Sequence, residues 1–283
     1  MTKQEVLAKL KFDMEVRNRA QSTIEDYLLK VSKYQDYHDE SADNLQISDV
    51  EKYLHYLLTE KKLKPSSVNT HNSALRFLYE VTLDVTLNFK KIPRVKAYRT
   101  LPELPTKKEL IKLFNCAPGL MYKAIFITIY GSGLRVSEAA NLKITDIDSE
   151  NMRIFIRKGK GGRDRYALLP QKTLEILREY YKCYKPKEWL FITRNKTQMT
   201  PQSIGNAFRT ALSNSKINKH PTVHTLRHCF ATHLLNDGKN LFEIKKLLGH
   251  VRIDTTTWYL QLSDSKALKL NSPLNSMDLK THE

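Results

Sequence analysis

The spacing of apolar residues predicts that the first hundred positions are largely helical. Residues 24–34 and 50–57 carry apolar side chains at the i, i+3, i+4 and i+7 positions that form one face of an α-helix. A third such pattern follows Pro65, and a helix over 3–16 would complete a four-helix bundle. We therefore predict an all-helical N-terminal domain over residues 1–89.

Capping residues indicate where several helices should begin. Ser22 precedes the first apolar stretch, and Ser48 with Glu51 three residues later has the pattern of an N-terminal capping box. Thr106 and Glu109 repeat that pattern and open the second half of the chain. In each case a side-chain oxygen can accept a hydrogen bond from a main-chain N–H that the helix leaves unpaired.

The second half of the chain mixes helical patterns with one short stretch of strand. An apolar helix is predicted at about 119–131, and another opens at Thr200–Pro201. Between them, the alternating residues 153–157, a glycine-rich turn at 158–164 and a further extended stretch predict a β-hairpin. The predicted fold class is mainly α with a small β-sheet: a helical N-terminal domain and an α+β C-terminal domain over 106–283.

Residues 90–105 interrupt the helical pattern. The segment contains three prolines and five basic residues, which favour an extended and stiffened linker. A chain that wraps around a rod of DNA would use such a charged connection between its two domains. An ordinary interdomain linker is the alternative.

The charge balance narrows the class of partner. The chain has 47 Lys and Arg against 30 Asp and Glu, a net charge of +17, which attracts polyanions such as nucleic acids without selecting DNA over RNA. The N-terminus lacks an apolar signal core and no apolar run is long enough to span a membrane, so we expect a cytoplasmic protein. Three widely spaced cysteines argue against both a disulfide framework and a zinc site.

The segment from His224 to Tyr259 contains the richest set of candidate catalytic groups. His224 and Arg227 are three residues apart and would project from one face of a helix, while Gly238 and Gly249 stand where short helices should end. The turns between these short helices would bring a guanidinium, imidazoles and a phenol close together. These groups suit a phosphate, because N–H donors can hold its oxygens while the phenol attacks phosphorus.

Two upstream positions carry further candidate groups. Arg135 follows Gly133 near a predicted helix start, with Glu138 one turn later; an intrahelical ion pair is the alternative interpretation. Lys160 lies at the glycine-flanked tip of the predicted hairpin, where it could reach a phosphate oxygen or remain a plain exposed lysine. Neither a P-loop nor a dinucleotide-binding fingerprint is present in the sequence.

Basic and amide side chains punctuate the N-terminal domain and the linker. For any one of them a solvated helix face is the simpler interpretation, but as a set in so basic a chain they suit contacts to a phosphate backbone. The predicted DNA-binding residues are Lys61, Lys62, Lys64, Asn69, His71, Lys90, Lys91, Arg94 and, in the C-terminal domain, Arg163.

Five motifs of the C-terminal domain, in this order, resemble those of the tyrosine recombinase family, which includes phage integrases and Xer-type enzymes. They are G-L-R-V-S-E-A at 133–139, G-K-G at 159–161, H-T-L-R-H at 224–228, L-L-G-H at 247–250 and T-T-T-W-Y at 255–259. The N-terminal domain is similar to the family's core-binding domain in size, helix count and charge only.

The resemblance implies a role for each matched residue. Tyr259 would attack the scissile phosphate and form a covalent 3′-phosphotyrosine, Lys160 would protonate the departing 5′-oxygen, and Glu138 would support the residues that contact the phosphate. The residues implied to hold the phosphate are Arg135, Arg227, His224 and His250.

Elementary chemistry explains why the reaction needs such groups. A free phenol has a pKa of about 10, so Tyr259 requires a base or a positive field, and His224 is our candidate base. The departing sugar alkoxide needs an acid, and a mobile Lys160 suits that role. The covalent intermediate keeps the energy of the phosphodiester, so we expect no cofactor and no ATP.

A metal site is the alternative interpretation of the histidines His224, His228 and His233. The H-E-x-x-H motif is missing, and Arg227 would repel a bound cation, so no metal is predicted. We predict instead that His228 and His233 pack within the helix or contact the DNA backbone.

The resemblance also implies partners. These are double-stranded DNA with inverted-repeat recombination sites and a homotetramer on that DNA, with a monomer or weak oligomer in its absence and a segment after Tyr259 that docks on a neighbouring subunit. Two other functions remain open: a type IB topoisomerase-like nicking-closing enzyme and a non-catalytic DNA-binding regulator.

Overall fold

The chain divides into two compact units, Met1–Thr100 and Leu101–Glu283. The computed structural model describes residues 1–85, 92, 94–96, 103–157, 164–249, 257 and 259–260. The predicted linker over 90–105 lies mostly outside these residues and stays a prediction, as does the docking of the segment after Tyr259.

The N-terminal unit is the predicted bundle of four helices. They are α1 (Lys3–Val16), α2 (Gln21–His38), α3 (Ile47–Thr59) and α4 (Pro65–Phe77), and α4 continues into one π-helical turn, Leu78–Thr82.

Two predicted starts in this unit differ from the structure. Helix α2 begins one residue before Ser22, and α3 begins at Ile47 rather than after Ser48. The reason at α3 is that the Asp49 carboxylate, and not Glu51, turns back and accepts a hydrogen bond of 3.0 Å from the Gln46 main-chain N–H. The predicted capping box of Ser48 and Glu51 is therefore wrong by two residues.

The core of the N-terminal unit contains buried tyrosines as well as aliphatic side chains. Tyr34 and Tyr79 are at most 1% exposed, and their hydroxyl oxygens are 2.9 Å apart. Tyr79 also donates to the main-chain oxygen of Ala42 at 3.0 Å. Because each buried hydroxyl has a hydrogen-bond partner, these large rings add apolar contact without the cost of an unpaired polar group.

The C-terminal unit contains seven α-helices, a short 3₁₀ helix (Ile144–Asp146) and a small sheet within the residues described for it. The helices are α5 (Lys107–Asn115), α6 (Leu120–Ser132), α7 (Val136–Ala140), α8 (Gln171–Tyr184), α9 (Pro201–Ser215), α10 (Val223–Asn236) and α11 (Leu241–Leu248). The strands are β1 (Ile147–Asp148), β2 (Arg153–Ile156) and β3 (Arg165–Leu168).

The sheet is antiparallel in the order β1-β2-β3, so the predicted β-hairpin is confirmed on both sides of its tip. In its register Ile154 pairs with Ala167 and Ile156 pairs with Arg165. Ile154, Ile156 and Ala167 are buried and face the core, as the alternation of the strand requires. The tip at 158–163 lies outside the described residues.

Helix α6 is the centre of this unit and packs against α5, α7, α8, α9 and α10. Its buried residues include Ile125, Phe126 and Ile129, which explains why its sequence is apolar on nearly every side. The predicted capping box at α5 is confirmed: the Thr106 hydroxyl accepts from the Glu109 N–H, and the Glu109 carboxylate accepts from the Thr106 N–H. Helix α8 was not predicted, although Leu174, Leu177 and Tyr180 have helical spacing and are buried.

Among the helices of the described residues, none combines the length and the apolar character that crossing a bilayer requires.

Candidate active site

A buried carboxylate, Glu138 on α7, is the point where three arginines meet, one from the start of the same helix and two from distant segments. Its side chain is 5% exposed. One carboxylate oxygen accepts from the Arg135 guanidinium at 2.6 Å and the other from the Arg135 main-chain N–H at 2.8 Å. The predicted partnership between Arg135 and Glu138 is thus present, and it fixes the guanidinium at the first turn of α7.

Arg165 on β3 holds the same carboxylate from the other side. Its two terminal nitrogens donate to the two Glu138 oxygens at 2.8 and 2.9 Å, a bidentate pair, and its Nε donates to the Leu247 main-chain oxygen at 3.3 Å. Burial alone would raise the pKa of Glu138, but the hydrogen bonds and charge of Arg165, followed by those of Arg135, lower the pKa to about 2. Glu138 is therefore ionised at neutral pH and anchors both guanidinium groups.

Arg227 on α10 is the most buried of the three arginines, with 6% of its side chain exposed. Its terminal nitrogens donate to the main-chain oxygens of Gly133 and Leu248, each at 2.7 Å, and one lies 3.7 Å from a Glu138 oxygen. Burial, followed by the charge of Arg135, lowers the pKa of Arg227 to about 10, so the group keeps its charge at neutral pH. These contacts fix a permanent cation between the ends of α6 and α11.

Two glycines allow the main chain to come close enough for these contacts. Gly133 ends α6 with a φ of +63°, and a side-chain carbon there would lie 2.4 Å from the Phe230 ring. Gly249 ends α11 with a φ of +65°, and a side-chain carbon there would lie 2.7 Å from the Arg165 side chain. The left-handed conformation and the lack of space both require glycine at these positions.

The ring of Tyr259 is held by a small apolar cluster from α10 and α11. The residue is 2% exposed, and it packs with Phe230, Ala231, Ile244 and Leu248 in that cluster. The hydroxyl, in contrast, is surrounded by polar groups: it shares a hydrogen bond with Arg227 and lies 3.2 Å from Nδ1 of His228. The apolar cluster therefore positions the ring and leaves one reactive atom against a cation.

Opposing effects act on the acidity of this phenol. Burial raises the pKa of Tyr259, while the charges of Arg227 and Arg135 and the Arg227 hydrogen bond lower it. Burial is the larger effect, so the hydroxyl is protonated at neutral pH. For this oxygen to act as a nucleophile, another group would have to remove the proton.

His224 and His228 lie one turn apart on α10 and have different surroundings. The His224 ring is accessible to solvent, although nearby protein, followed by the charges of Arg227 and Arg135, lowers its pKa. His228 is half-buried, and burial, followed by the charges of Arg227 and His224, lowers its pKa to about 4. Both imidazoles are uncharged at neutral pH.

The described part of the chain brings together Arg135, Glu138, His224, Arg227 and Tyr259. Lys160, His250 and Arg163 fall outside the described residues, as do Lys90 and Lys91 in the linker. The structure adds Arg165, which the sequence patterns do not single out, and His228, which was predicted only to pack within the helix or to contact the DNA backbone. A signal for His228 was available, since it lies four residues after His224 and directly after Arg227.

Two of the predicted DNA-contacting residues have hydrogen-bond partners within the N-terminal unit. His71 is 7% exposed, 3.3 Å from the Tyr53 hydroxyl, and burial lowers its pKa to about 4, so it is a neutral core residue. The half-buried Asn69 accepts a hydrogen bond from the Val95 N–H at 2.9 Å and donates one to the Val95 oxygen at 2.8 Å, so it fixes the chain after α4, and its contact with DNA stays a prediction. Exposed basic residues remain as predicted contacts: Lys61, Lys62, Lys64 and Arg94.

We expect Arg165→Met to destabilise the protein by about 3 kcal/mol, because it leaves a buried carboxylate with one guanidinium fewer. Arg153→Met is the matched control: this arginine also extends from the sheet and pairs with a carboxylate, Asp148 at 2.7 Å, but its side chain is 42% exposed. We expect a much smaller effect there, since exposed ion pairs contribute little. Chemical denaturation of both variants measures the difference, and equal losses would contradict the anchoring role of Arg165.

Each of the two units matches a known protein-family model. Residues 106–266 match the model of the phage integrase family, and residues 6–88 match the N-terminal SAM-like domain of phage integrases.

Similarity to individual proteins extends over most of the chain. It is 40% identical over 263 residues to y4qK of Sinorhizobium fredii, a protein assigned as an integrase/recombinase, covering 92% of this chain and 85% of the relative. It is 30% identical over 264 residues to the tyrosine recombinase XerA of Pyrococcus horikoshii, covering 92% and 90%. Among solved structures, a lambda integrase fragment crystallised as a dimer on a COC′ core site has the same fold, with a TM-score of 0.75 at 18% identity, over 92% of this chain and 95% of that one.

Proposed function

The chain belongs to the phage integrase family of tyrosine recombinases, and on that basis we propose that it is a site-specific DNA recombinase. It cleaves one DNA strand through a covalent 3′-phosphotyrosine on Tyr259 and rejoins that strand to a new partner. It acts in the cytoplasm as a homotetramer on two double-stranded sites with inverted repeats.

One observation supports this proposal above the others. The Tyr259 hydroxyl shares a hydrogen bond with Arg227 and lies in the electrostatic field of Arg135. These groups come together although Arg135 and Arg227 are 92 positions apart and Tyr259 lies 32 positions after Arg227. A buried phenol beside two fixed cations is poorly explained as a packing device, since an apolar ring would fill the same cluster. It is well explained as a nucleophile beside a phosphate site.

Each group then has a defined part in the reaction. Negative charge grows on the non-bridging oxygens as the phenolic oxygen approaches phosphorus, and Arg135 and Arg227 stabilise it because their guanidinium groups are fixed in place before the substrate binds. His224, whose ring is accessible, adds a contact to the same phosphate. His250 supplies another contact and Lys160 protonates the departing 5′-oxygen. Glu138, itself held by Arg165, keeps the two guanidinium groups in position.

The N-terminal unit contacts the phosphate backbone of the DNA. Its exposed lysines Lys61, Lys62 and Lys64 follow α3 and lead into α4, and the excess of basic residues in the chain draws it to a polyanion. Contacts of this kind fix position on the duplex and weaken as the salt concentration rises.

A two-site assay tests the proposal. Binding selection from a random duplex pool supplies a site, and two copies are placed on one supercoiled plasmid. We expect recombinant circles from that plasmid and no change in a plasmid without sites. Relaxation of both plasmids without recombinants would show a type IB topoisomerase-like enzyme, and binding without either reaction would show a non-catalytic regulator.

We expect the same assay to proceed at an unchanged rate in the presence of a chelator and without any nucleotide. Fixed arginines, and not a cation, carry the positive charge in the proposed mechanism, and the phosphotyrosine preserves the energy of the broken bond. The measurement is the yield of recombinant circles with EDTA and with added Mg²⁺. A strict dependence on the metal would contradict the assigned roles of Arg135 and Arg227.

A further inference from the structure

The nearest imidazole to the Tyr259 hydroxyl among the described residues is that of His228, not the predicted base His224. Nδ1 of His228 is 3.2 Å from the phenolic oxygen, and the two ring centroids are 5.6 Å apart. His224 makes no hydrogen bond to Tyr259 in the part of the chain that the structure describes, and its ring is open to solvent. His228 thus lies beside the nucleophile, whereas His224 is accessible to the incoming phosphate.

The groups around the Tyr259 hydroxyl indicate which of its hydrogen bonds it accepts and which it donates. Arg227 has N–H donors and no acceptor, so in its hydrogen bond with Tyr259 the phenolic oxygen accepts. The single O–H of the phenol is then available to donate to Nδ1 of His228, which carries a lone pair when the imidazole is neutral. Burial beside Arg227 keeps this imidazole neutral. The phenol can donate to Nδ1 in the tautomer that carries its proton on Nε2.

We propose that His228 is the general base of the cleavage step and takes the proton of Tyr259 as the phenolic oxygen bonds to phosphorus. This inference rests on the proposed function. In the step, the oxygen–phosphorus bond forms and the bond from phosphorus to the 5′-oxygen breaks. The phenolic proton moves to Nδ1 of His228, and the 5′-oxygen takes a separate proton from the acid, Lys160. Rejoining reverses each transfer, so the imidazolium of His228 returns its proton to the phenol.

A weakly basic imidazole suffices for this role because of when the proton moves. The phenolic O–H becomes far more acidic as its oxygen begins to bond to phosphorus, so transfer late in the step is favourable. The incoming phosphate also brings negative charge beside Arg227, which offsets the field that makes His228 a poor base in the free protein. His224 then keeps the role of a donor to the phosphate.

Single-turnover cleavage of a nicked suicide substrate by His228→Ala tests the proposal. We expect adduct formation to slow by about 10²- to 10⁴-fold, the usual contribution of a positioned base, with DNA binding unchanged. Added imidazole should restore part of the rate, and in a series of substituted imidazoles the restored rate should rise with the pKa of the additive. A restored rate independent of that pKa would overturn the proposal, as would His228→Ala cleaving at the wild-type rate.

Two controls separate a base from a residue that only orients the phenol. His228→Asn places an amide near the position of Nδ1, so it can keep a hydrogen bond but cannot accept the proton; we expect it to be as slow as His228→Ala, and near wild-type cleavage would overturn the proposal. A substrate with sulfur in place of the 5′-oxygen needs no acid on departure. We expect it to leave His228→Ala slow, and its rescue of that variant would identify His228 with the acid instead.

Failure of this inference and failure of the proposed function give different results in the same experiment. If the wild-type protein forms no adduct, the proposed function fails. If it forms the adduct and the His228 variants match its rate, only the assignment of His228 fails. Thermal unfolding of each variant, compared with His233→Ala on the same helix, identifies losses caused by misfolding.

Discussion

Replacing Arg227 by lysine should reduce the rate of covalent adduct formation by about 10³-fold or more, the scale at which a fixed arginine contributes to phosphoryl transfer. Lysine keeps the charge but lacks the planar fork. In the structure that fork reaches the main-chain oxygens of Gly133 and Leu248 at once and still meets the Tyr259 hydroxyl. A single ammonium cannot occupy these positions together, so both the cation and the nucleophile lose their alignment.

The same substitution should cost about 1–3 kcal/mol of stability, because at least one buried carbonyl oxygen loses its donor. Binding and cleavage must therefore be measured separately, at a temperature where the variant is folded. Arg153→Lys provides the control, since its guanidinium is partly exposed and pairs with Asp148 at the sheet surface. Cleavage by Arg227→Lys within about tenfold of the wild-type rate would show that this guanidinium is a structural tie and not part of a phosphate clamp.

Tyr259→Phe should abolish the adduct altogether while leaving DNA binding intact. The substitution removes one oxygen, and the ring keeps its place among Phe230, Ile244 and Leu248, so the fold is retained. The lost hydrogen bonds should cost only about 1 kcal/mol. The assay is a denaturing gel of protein and labelled suicide substrate, in which a covalent complex migrates slowly.

The chain offers a closely matched control in Tyr130→Phe. The Tyr130 hydroxyl lies 2.9 Å from Nδ1 of His233. This pair resembles that of Tyr259 and His228, and both histidines lie on α10. Burial raises the pKa of Tyr130 to about 12, and no arginine is among the groups that act on it. We expect this variant to form adduct at the wild-type rate; loss of the adduct in both variants would point to a general effect of removing a buried hydroxyl.

Local spacing was sufficient to predict part of the site. Arg135 and Glu138 are three residues apart at a helix start, so their contact follows from helix geometry alone. The pairing of Glu138 with Arg165 spans 27 positions and two elements, and no local pattern encodes it. It arises because β3 packs against α6, which leads directly into α7, and only the tertiary structure shows this packing.

The N-terminal unit shows where an argument from composition fails. Asn69, His71 and Asn72 form a polar stretch that suggests a surface for phosphates. The helical period gives a different answer, since His71 and Asn72 lie three and four residues after the buried Val68 and therefore on the inward face. Tyr53 meets His71 there, and the neutral imidazole takes the place of an apolar residue in the core.

In the C-terminal unit, too, the sequence alone does not identify which histidine lies beside Tyr259. The sequence offers three histidines on α10, and spacing cannot tell which of them faces a tyrosine that follows on another segment. The described residues show which one it is: the Tyr259 ring packs in the cluster that α10 and α11 form, and its hydroxyl lies 3.2 Å from Nδ1 of His228. Chemistry predicted the kind of group required, and geometry selected the residue.

The most direct test of the central claim is to map the atom that becomes linked to DNA. The wild-type protein is trapped on a nicked suicide substrate, the complex is digested with protease and nuclease, and the nucleotide-bearing peptide is sequenced by mass spectrometry. We expect a single modified peptide with the 3′-phosphate on Tyr259. A nucleotide attached to any other residue, or cleavage with no covalent intermediate, would contradict the claim that this phenol attacks a phosphorus held by Arg135 and Arg227.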